Sequence, residues 1–362
     1  MQDGESKELT TTFGSLLQRA SALSGALAAR VPAGGRVVLM LPPSGDFFPI
    51  FWACLHAGVI PCVVYPPARI APAELAPVAA ICRDARASLL ITTQAIQEAM
   101  QDLSPAACAS LQLPPICGWE GLEGKGTSGV RRSCDIAYLQ YTSGSTSAPK
   151  GVRITHRGLA EHLEHLCARF AYTSESIAVS WLPVHHSFGL VAGVLIPVFA
   201  GCVSISMSPG HFLERPLRWL EAIDRYRATH SGGPNFAYDL ASAKLAGGEA
   251  TRPLDLSCWR LAGTGGEAVQ HGTMERFQSE LAKVGMPRTA FAPAYGLSEA
   301  TLVVSTSPYQ EQVVLTLDGA ALQRGEVAPC SADTSGARTM VSVGRLVAGF
   351  ELKLVDPTTQ RP

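Results

Sequence analysis

Neither sign of charge dominates this sequence, and that absence excludes one large class of partners. The 362 residues contain 29 Lys and Arg against 30 Asp and Glu, so the net charge is −1 with neutral histidines. A nucleic-acid-binding face needs a cluster of cations, and no basic stretch in the sequence could supply one. We therefore expect no nucleic-acid partner.

The ten cysteines lack the spacing of a disulfide framework or a zinc site. No C-x-x-C occurs, and the cysteines are scattered from Cys54 to Cys330. This scatter is typical of reduced, buried thiols. The N-terminal stretch MQDGESKELT is polar and contains acids, so it does not resemble a signal peptide. Together these features predict a cytoplasmic protein.

Charged side chains are missing altogether from residues 187–212. A run of this length could in principle cross a membrane. However, Pro197, Gly201 and Pro209 divide it, and its later part, CVSISM, alternates like a strand. We predict a buried helix followed by a strand, and no membrane span.

What the sequence does contain is a regular alternation of strand and helix patterns, which predicts an α/β fold with a parallel sheet. We predict irregular structure for residues 308–338, and a strand and turn for 350–362. The remaining predicted strands cover residues 36–42, 59–67, 87–93, 135–141, 151–155, 177–183, 202–207 and 258–264, and the predicted helices cover 12–30, 46–58, 157–170, 189–198, 215–228, 235–246 and 270–284.

One loop concentrates small hydroxyl residues beside a single cation. LQYTSGSTSAPKGV, residues 139–152, contains five Ser or Thr residues, two glycines and Lys150, but no acid. Backbone N–H groups and hydroxyls at close range suit phosphate oxygens, and a lysine adds a point charge. The P-loop motif does not fit, because Pro149 precedes the lysine and Gly151 follows it. A polar surface loop is the alternative.

Three stretches, in this order, resemble the signature motifs of the adenylate-forming superfamily. YTSGSTSAPKGV (141–152) resembles its phosphate-binding loop, with Ser147 where the family usually has Gly. AGTGGEAV (262–269) resembles the segment that packs against adenine, and AYGLSEAT (294–301) resembles the segment that holds the α-phosphate and magnesium. The superfamily includes acyl-CoA synthetases, luciferases and the adenylation domains of peptide synthetases. The resemblance implies ATP and Mg²⁺ as cofactors.

The resemblance also implies a role for each residue of these motifs. Glu299 is the implied magnesium ligand, since a hard cation favours a carboxylate, and His186, Ser298 and Lys150 are the candidate catalytic residues. The structural alternatives are an ion pair for Glu299, a helix cap for Ser298, core packing for Tyr295 and a helix start for His186. The implied nucleotide-binding residues are Thr142, Ser143, Gly144, Ser145, Thr146 and Lys150 at the outer phosphates, Gly265, Gly266, Glu267 and Tyr295 at adenine, and Gly296 and Ser298, the latter at the α-phosphate.

Two further stretches resemble fatty acyl-AMP ligases, the branch that hands acyl groups to carrier proteins in polyketide and lipopeptide assembly. They are residues 215–241 and 254–269. The branch carries an insertion for which residues 308–338 are the candidate, with a surface loop as the alternative. HSFGL, residues 186–190, instead resembles acyl-CoA synthetases, so that activity stays an alternative. An amino-acid substrate is disfavoured, because a buried ammonium needs a counter-ion and residues 187–212 contain no acid.

The implied substrate is a medium- or long-chain fatty acid, and the implied partner is the phosphopantetheine arm of an acyl carrier protein. An acyl chain needs a long apolar slot, although the same residues could form ordinary core. The candidate acyl-binding residues are Gly189, Val194, Trp219, Pro234, Asn235 and Phe236.

The implied fold is a layered αβαβα domain built from two similar sheet-and-helix subdomains. We expect this large N-terminal domain over residues 1–340 and the start of a β-barrel-like subdomain over 341–362. We expect the mobile C-terminal lid domain to be absent, and this chain alone to be poorly active or to act as a non-catalytic nucleotide-binding domain.

Overall fold

Both large sheets of the protein are rows of parallel strands bordered on one side by antiparallel strands. The structure is a computed structural model that describes residues 7–104, 109–122, 135–142, 149–308, 313–356, 358–359 and 361. The chain divides into two compact units. The first comprises residues 1–162, 183–190 and 207–209, and the second comprises 163–182, 191–206 and 210–362.

The first unit contains a six-stranded sheet in the order β4-β3-β1-β2-β5-β6. All neighbouring strands are parallel except β5 and β6, which form an antiparallel hairpin. The strands are β1 (Arg36–Met40), β2 (Ile60–Val64), β3 (Leu89–Thr92), β4 (Ile116–Gly118), β5 (Ile136–Thr142) and β6 (Lys150–Thr155), and the helices are α1 (Phe13–Arg30), α2 (Phe47–His56), α3 (Pro72–Asp84) and α4 (Gln94–Gln101), with a 3₁₀ turn at Trp119–Leu122.

Sequence explains these elements locally. The central strands β1 and β2 are almost wholly buried, as expected for continuous apolar runs in a parallel sheet covered on both faces. Helix α1 begins where the Thr12 hydroxyl accepts a hydrogen bond from the Ser15 N–H at 3.1 Å. Its inner face buries Ala20, Leu23 and Leu27.

Helix α5 (His156–Phe170) carries the chain from the first unit into the second, whose main sheet has seven strands in the order β15-β12-β11-β10-β9-β7-β8. The five neighbouring strands β8, β7, β9, β10 and β11 are parallel to one another. Strand β12 pairs antiparallel with β11 on one side and with β15 on the other. The strands are β7 (Ile177–Ser180), β8 (Val203–Ser206), β9 (His230–Gly233), β10 (Leu261–Thr264), β11 (Phe291–Gly296), β12 (Val303–Thr306), β13 (Val314–Asp318), β14 (Ala337–Val341) and β15 (Arg345–Leu346).

The helices of this part of the chain include an unusual one. A π-helix at Phe188–Leu195 runs into α6, where an ordinary α-helix was predicted. The α-helices are α6 (Ile196–Ala200), α7 (Pro209–Glu214), α8 (Leu217–Tyr226), α9 (Asn235–Ala246), α10 (His271–Ala282) and α11 (Gly319–Gln323), and 3₁₀ turns lie at Arg288–Ala290 and Ser298–Ala300.

A chain of aromatic rings forms the core of the second unit. Trp219 packs edge-on against Tyr238 at 5.1 Å and against Trp259 at 5.4 Å between ring centroids. Tyr238 in turn meets Phe277 at 4.4 Å. Such edge-to-face pairs add to the free energy gained by burying the rings. This core fixes α8, α9 and α10 against the sheet.

The α/β class with two similar sheet-and-helix units is confirmed, and two local predictions are wrong. Residues 308–338 are not irregular throughout, because β13 pairs with β14 in a separate two-stranded sheet and α11 follows β13. Residues 350–356 form no strand. That 308–338 is an insertion, and that a new subdomain begins at 341, stay predictions.

The described residues also bear on the predicted buried thiols and on the uncharged run. All eight cysteines described there are free, but the prediction of burial holds only for Cys54, Cys62, Cys82 and Cys202, because the other four are partly exposed. Across the same residues, no helix combines the length and the apolar character that membrane crossing requires. The uncharged run forms the buried helical segment and then β8, a partly exposed edge strand.

Candidate active site

The β5–β6 hairpin carries the predicted phosphate loop. Thr142 pairs with Lys150 where the two strands separate. The Lys150 side chain is exposed and makes no ion pair with any residue that the structure describes. Ser143, Gly144, Ser145, Thr146 and Ser147 lie outside the described residues. The cation is therefore available to a ligand at the end of the hairpin.

Tyr141 anchors this hairpin from the preceding position. Its hydroxyl donates to Asp84 at 2.5 Å, and its ring lies over Gly151 on the opposite strand. A side chain at Gly151 would place its Cβ 2.8 Å from that ring. Burial and the Asp84 hydrogen bond together raise the pKa of Tyr141 well above its ordinary value. The glycine after Lys150 thus has a packing role.

His186 lies in a tight turn before the π-helix. Its N–H donates to Pro183 O at 3.0 Å, and its Nδ1 accepts from the Phe188 N–H at 3.3 Å. The structural alternative, a helix start, is therefore present. Because Nδ1 is the acceptor, Nε2 carries the proton of the neutral ring. The side chain is exposed, and desolvation by its surroundings lowers the pKa of His186 below its ordinary value.

The β11–β12 hairpin carries Tyr295, Gly296, Ser298 and Glu299. Tyr295 is 49% exposed, which excludes core packing as its role. The carboxylate of Glu299 is exposed and forms no ion pair with the described residues, so the salt-bridge alternative has no support among them. Ser298 opens a 3₁₀ turn, but Leu297 occupies the cap position and no side-chain cap hydrogen bond forms. These side chains are free to meet a ligand.

Two unusual backbone features hold that hairpin loop in place. A β-bulge lies between Tyr295 and Gly296, and a side chain at Gly296 would collide with the carbonyl oxygen of Leu302. Thr301 has φ 69° and ψ −55°, with a hydrogen bond of 2.8 Å from Leu302 N–H to Ala300 O across it. This is a γ-turn in a rare, strained conformation of the kind that clusters at functional sites.

The glycine turn after β10 is tied to the start of α9. A Cβ at Gly265 would lie 2.9 Å from Ala294 O, and Gly266 has φ 84°, so both positions favour glycine. The Glu267 carboxylate accepts a hydrogen bond of 2.8 Å from the Phe236 N–H. The predicted adenine segment therefore contacts Phe236, one of the predicted acyl residues, within the second unit.

Two of the predicted acyl residues, Pro234 and Phe236, lie just beyond the carboxyl end of β9, the strand that pairs with β7. The chain runs from β7 to β8 on one side and then to β9 on the other, which makes this edge a topological switch point, where ligands of open α/β sheets bind. Pro234 and Phe236 follow β9, and the Phe236 ring is 43% exposed. Trp181 follows β7 and contacts Phe236 edge-on at 6.3 Å.

The other acyl candidates are buried. Trp219 is fully buried, and its indole N–H donates to Ser231 at 2.7 Å, so it belongs to the core beneath this edge. Asn235 is held by Thr273 and by the Gln270 N–H. Gly189 and Val194 lie in the buried π-helix. Contact of these residues with an acyl chain stays a prediction.

Sequence reasoning missed Gln140 and Thr301. The Gln140 side chain is buried in β5 and donates to His185 O at 2.7 Å. This hydrogen bond connects the β5–β6 hairpin to the turn that contains His186. A lone amide within the apolar stretch IAYLQY was the available signal, because a buried amide must find a partner. No sequence signal marks the γ-turn, since threonine has no preference for positive φ.

Comparison with known families agrees with these motifs. The sequence profile of the family described as "AMP-binding enzyme" matches residues 4–362. A medium-chain-fatty-acid–[acyl-carrier-protein] ligase, JamA of Moorena producens, is 37% identical over the whole of this chain. The long-chain-fatty-acid–AMP ligase FadD23 of Mycobacterium tuberculosis is 32% identical over 99% of the chain. The chain spans 62% of the length of each of these relatives.

A solved structure shows the same fold. The fatty acyl-adenylate ligase from L. pneumophila, crystallised in complex with acyl adenylate and pyrophosphate, superposes with a TM-score of 0.88 at 34% identity. The match covers 98% of this chain and 61% of that one. The fold of the described units is therefore that of the corresponding part of this ligase.

Proposed function

Because this chain belongs to the AMP-binding enzyme family, we propose that the protein activates a medium- or long-chain fatty acid with ATP and transfers the acyl group to an acyl carrier protein. A carboxylate oxygen attacks the α-phosphorus, the bond to pyrophosphate breaks, and an acyl adenylate forms. The thiol of the phosphopantetheine arm then attacks the acyl carbonyl and AMP leaves. The names of JamA and FadD23 support a fatty acid as the substrate.

One observation supports this proposal most directly. Lys150 and Glu299, a cation and a carboxylate, each lie at the end of an antiparallel hairpin bordering a parallel sheet, exposed and without an ion-pair partner among the described residues. An unpaired lysine suits the phosphates of ATP, and an unpaired carboxylate suits its metal ion. The protein contributes mainly position and electrostatics to such a reaction.

Magnesium fits the residues present. Mg²⁺ commonly binds through one or two carboxylates together with substrate phosphates, and Glu299 offers one exposed carboxylate. In the described part of the chain, no group of three His, Cys, Asp or Glu side chains could hold an ion by itself. Bound there, Mg²⁺ would spread the negative charge of the phosphates. Ser298 would meet the α-phosphate, and the neutral Nε2–H of His186 would donate to the carboxylate or α-phosphate.

Pyrophosphate exchange by the full-length protein across a panel of C8–C16 fatty acids tests the activity. We expect Lys150→Ala and Glu299→Ala each to lower exchange at least about tenfold, which is about 1.4 kcal/mol of transition-state stabilisation. Lys244→Ala and Glu249→Ala are matched controls, because they remove the same charges from a surface pair at 2.9 Å. Full exchange in both site variants, or no exchange with any acid, would contradict the proposal.

An acyl-CoA synthetase is the second candidate, favoured by the HSFGL segment at 186–190. Offering CoA and a carrier protein to the adenylate-loaded protein separates the two acceptors. Binding of an acyl-sulfamoyl adenosine by this chain, without turnover, would instead identify it as a nucleotide-binding domain. A cytoplasmic location fits the free thiols of the described residues.

A further inference from the structure

Gln140 is a buried amide whose hydrogen bonds connect two parts of the first unit. The residue is 3% exposed and is paired with Val152 in the β5–β6 hairpin. Its Nε2 lies 2.7 Å from His185 O and 3.5 Å from Tyr141 O. Both neighbours are carbonyl oxygens, which only accept, so the NH₂ end of the amide must face them.

The carbonyl that Gln140 holds belongs to the turn that presents His186. In that turn, His186 N–H donates to Pro183 O, and His186 Nδ1 accepts from the Phe188 N–H. The centroid of the His185 ring lies 5.0 Å from the centroid of the Tyr65 ring. The Gln140 amide thus donates a hydrogen bond from the sheet to this turn, and it comes from β5, the strand that ends at Thr142.

Removing this donor would leave the turn in place but less constrained. The hydrogen bond to His185 O is partly buried, so its loss would leave that acceptor without its protein partner and the turn without this restraint. Any resulting movement of the turn shifts the His186 ring relative to the hairpin that carries Thr142 and Lys150. Displacements of about 1 Å at a reacting group can lower rates about a hundredfold.

We propose that Gln140 is a positioning residue. By binding the His185 carbonyl, it keeps the Nε2–H of His186 at a fixed position relative to the β5–β6 hairpin. The proposal rests on the proposed function, in which His186 meets the substrate carboxylate or the α-phosphate. Gln140 itself touches neither substrate nor nucleotide in this scheme, and acts through the turn.

A double-mutant cycle on the full-length protein tests this role through pyrophosphate exchange. Gln140→Met, similar in size but without the donor, should lower kcat about tenfold or more with little change in KM for ATP. In a His186→Ala background the same change should cost less than about twofold, because a residue that acts through His186 has nothing left to position. Full additivity of the two substitutions would overturn the proposal, as would a KM effect alone.

A second variant separates positioning from general stability. Gln140→Glu can donate to His185 O only while protonated, so its exchange rate relative to the wild type should rise as the pH is lowered from 8 to 6. A flat ratio would overturn the proposal. Gln97→Met is the matched control, since Gln97 also bridges backbone groups, at Ile116 O and Gly118 N, away from the turn. It should lower stability without lowering kcat.

A direct readout keeps the proposal testable if exchange itself is absent. The ¹⁵N chemical shifts of the His186 ring in the wild type should show a protonated Nε2 and an unprotonated Nδ1. In Gln140→Met the two shifts should move towards averaged values, while Gln97→Met leaves them unchanged. Identical shifts in all three proteins would overturn the positioning role, whereas missing exchange in the wild type would count against the proposed function.

Discussion

The β11–β12 hairpin leaves no room for a side chain at Gly296, and Gly296→Ala should therefore both destabilise the protein and impair adenylation. An added Cβ would overlap Leu302 O, approach Leu302 C at 2.7 Å and lie 3.1 Å from Val303 Cα. All three atoms are backbone, so no rotamer change can relieve the overlap and the hairpin must open. Overpacking typically costs about 1–3 kcal/mol, and we expect a value of about 3 kcal/mol here.

Opening the hairpin also displaces Glu299, which lies three residues after Gly296. We expect exchange activity to fall about a hundredfold, the loss that a displacement of about 1 Å can cause at a reacting group. Chemical denaturation and pyrophosphate exchange measure the two effects.

Gly263→Ala in the neighbouring strand β10 is the control for stability, because no atom lies within 4 Å of its added Cβ. Gly265→Ala should lie between them, with its Cβ 2.9 Å from Ala294 O. Equal stability of Gly296→Ala and Gly263→Ala would refute the steric argument.

Two further predictions concern the γ-turn and a buried histidine. Thr301→Pro should abolish Mg²⁺-dependent exchange, because proline fixes φ near −65° while the native φ is 69°. Thr301→Gly should retain activity, since glycine adopts positive φ readily. Equal loss of activity in both variants would contradict a backbone role for Thr301. Burial lowers the pKa of His230 to about 4, against about 6.5 in an unfolded chain. The unfolded state then binds more protons between these values, so stability falls as the pH drops from 6.5 towards 4, by up to about 3 kcal/mol for this residue. In thermal melts at a series of pH values, the stability of His230→Gln should fall less steeply with decreasing pH than that of the wild type. Part of the remaining slope comes from His185, whose pKa burial also lowers to about 4. An unchanged slope would contradict the assignment to His230.

Local patterns in the sequence determined many of the helices and strands and the order of the motifs, although α3, α4, β4, β11 and β12 were not predicted. Helix α9 runs from Asn235 to Ala246 and α1 from Phe13 to Arg30, close to the predicted ranges, because apolar spacing and turn residues act within a few positions. The motif residues Lys150, Ser298 and Glu299 were likewise identifiable, since their chemistry is carried by residue type and spacing. The branch-specific role of residues 308–338 and the acyl contacts stay predictions.

Only the tertiary structure decided which of these residues share a neighbourhood and how they are held. Gln140 donates a hydrogen bond to His185 O, 45 positions away in sequence, and Glu267 accepts one from the Phe236 N–H, 31 positions away. Both hydrogen bonds depend on strand order and on chain reversal. The pairing of β13 with β14 was missed because α11 and a long loop separate the two strands, and because apolar residues such as Leu315 and Met340 are exposed. The positive φ of Thr301 has the same origin: the hairpin imposes it against the residue's own preference. Sequence thus determined the local elements and the chemistry of the motifs, whereas long-range hydrogen bonds and backbone contacts decided the geometry.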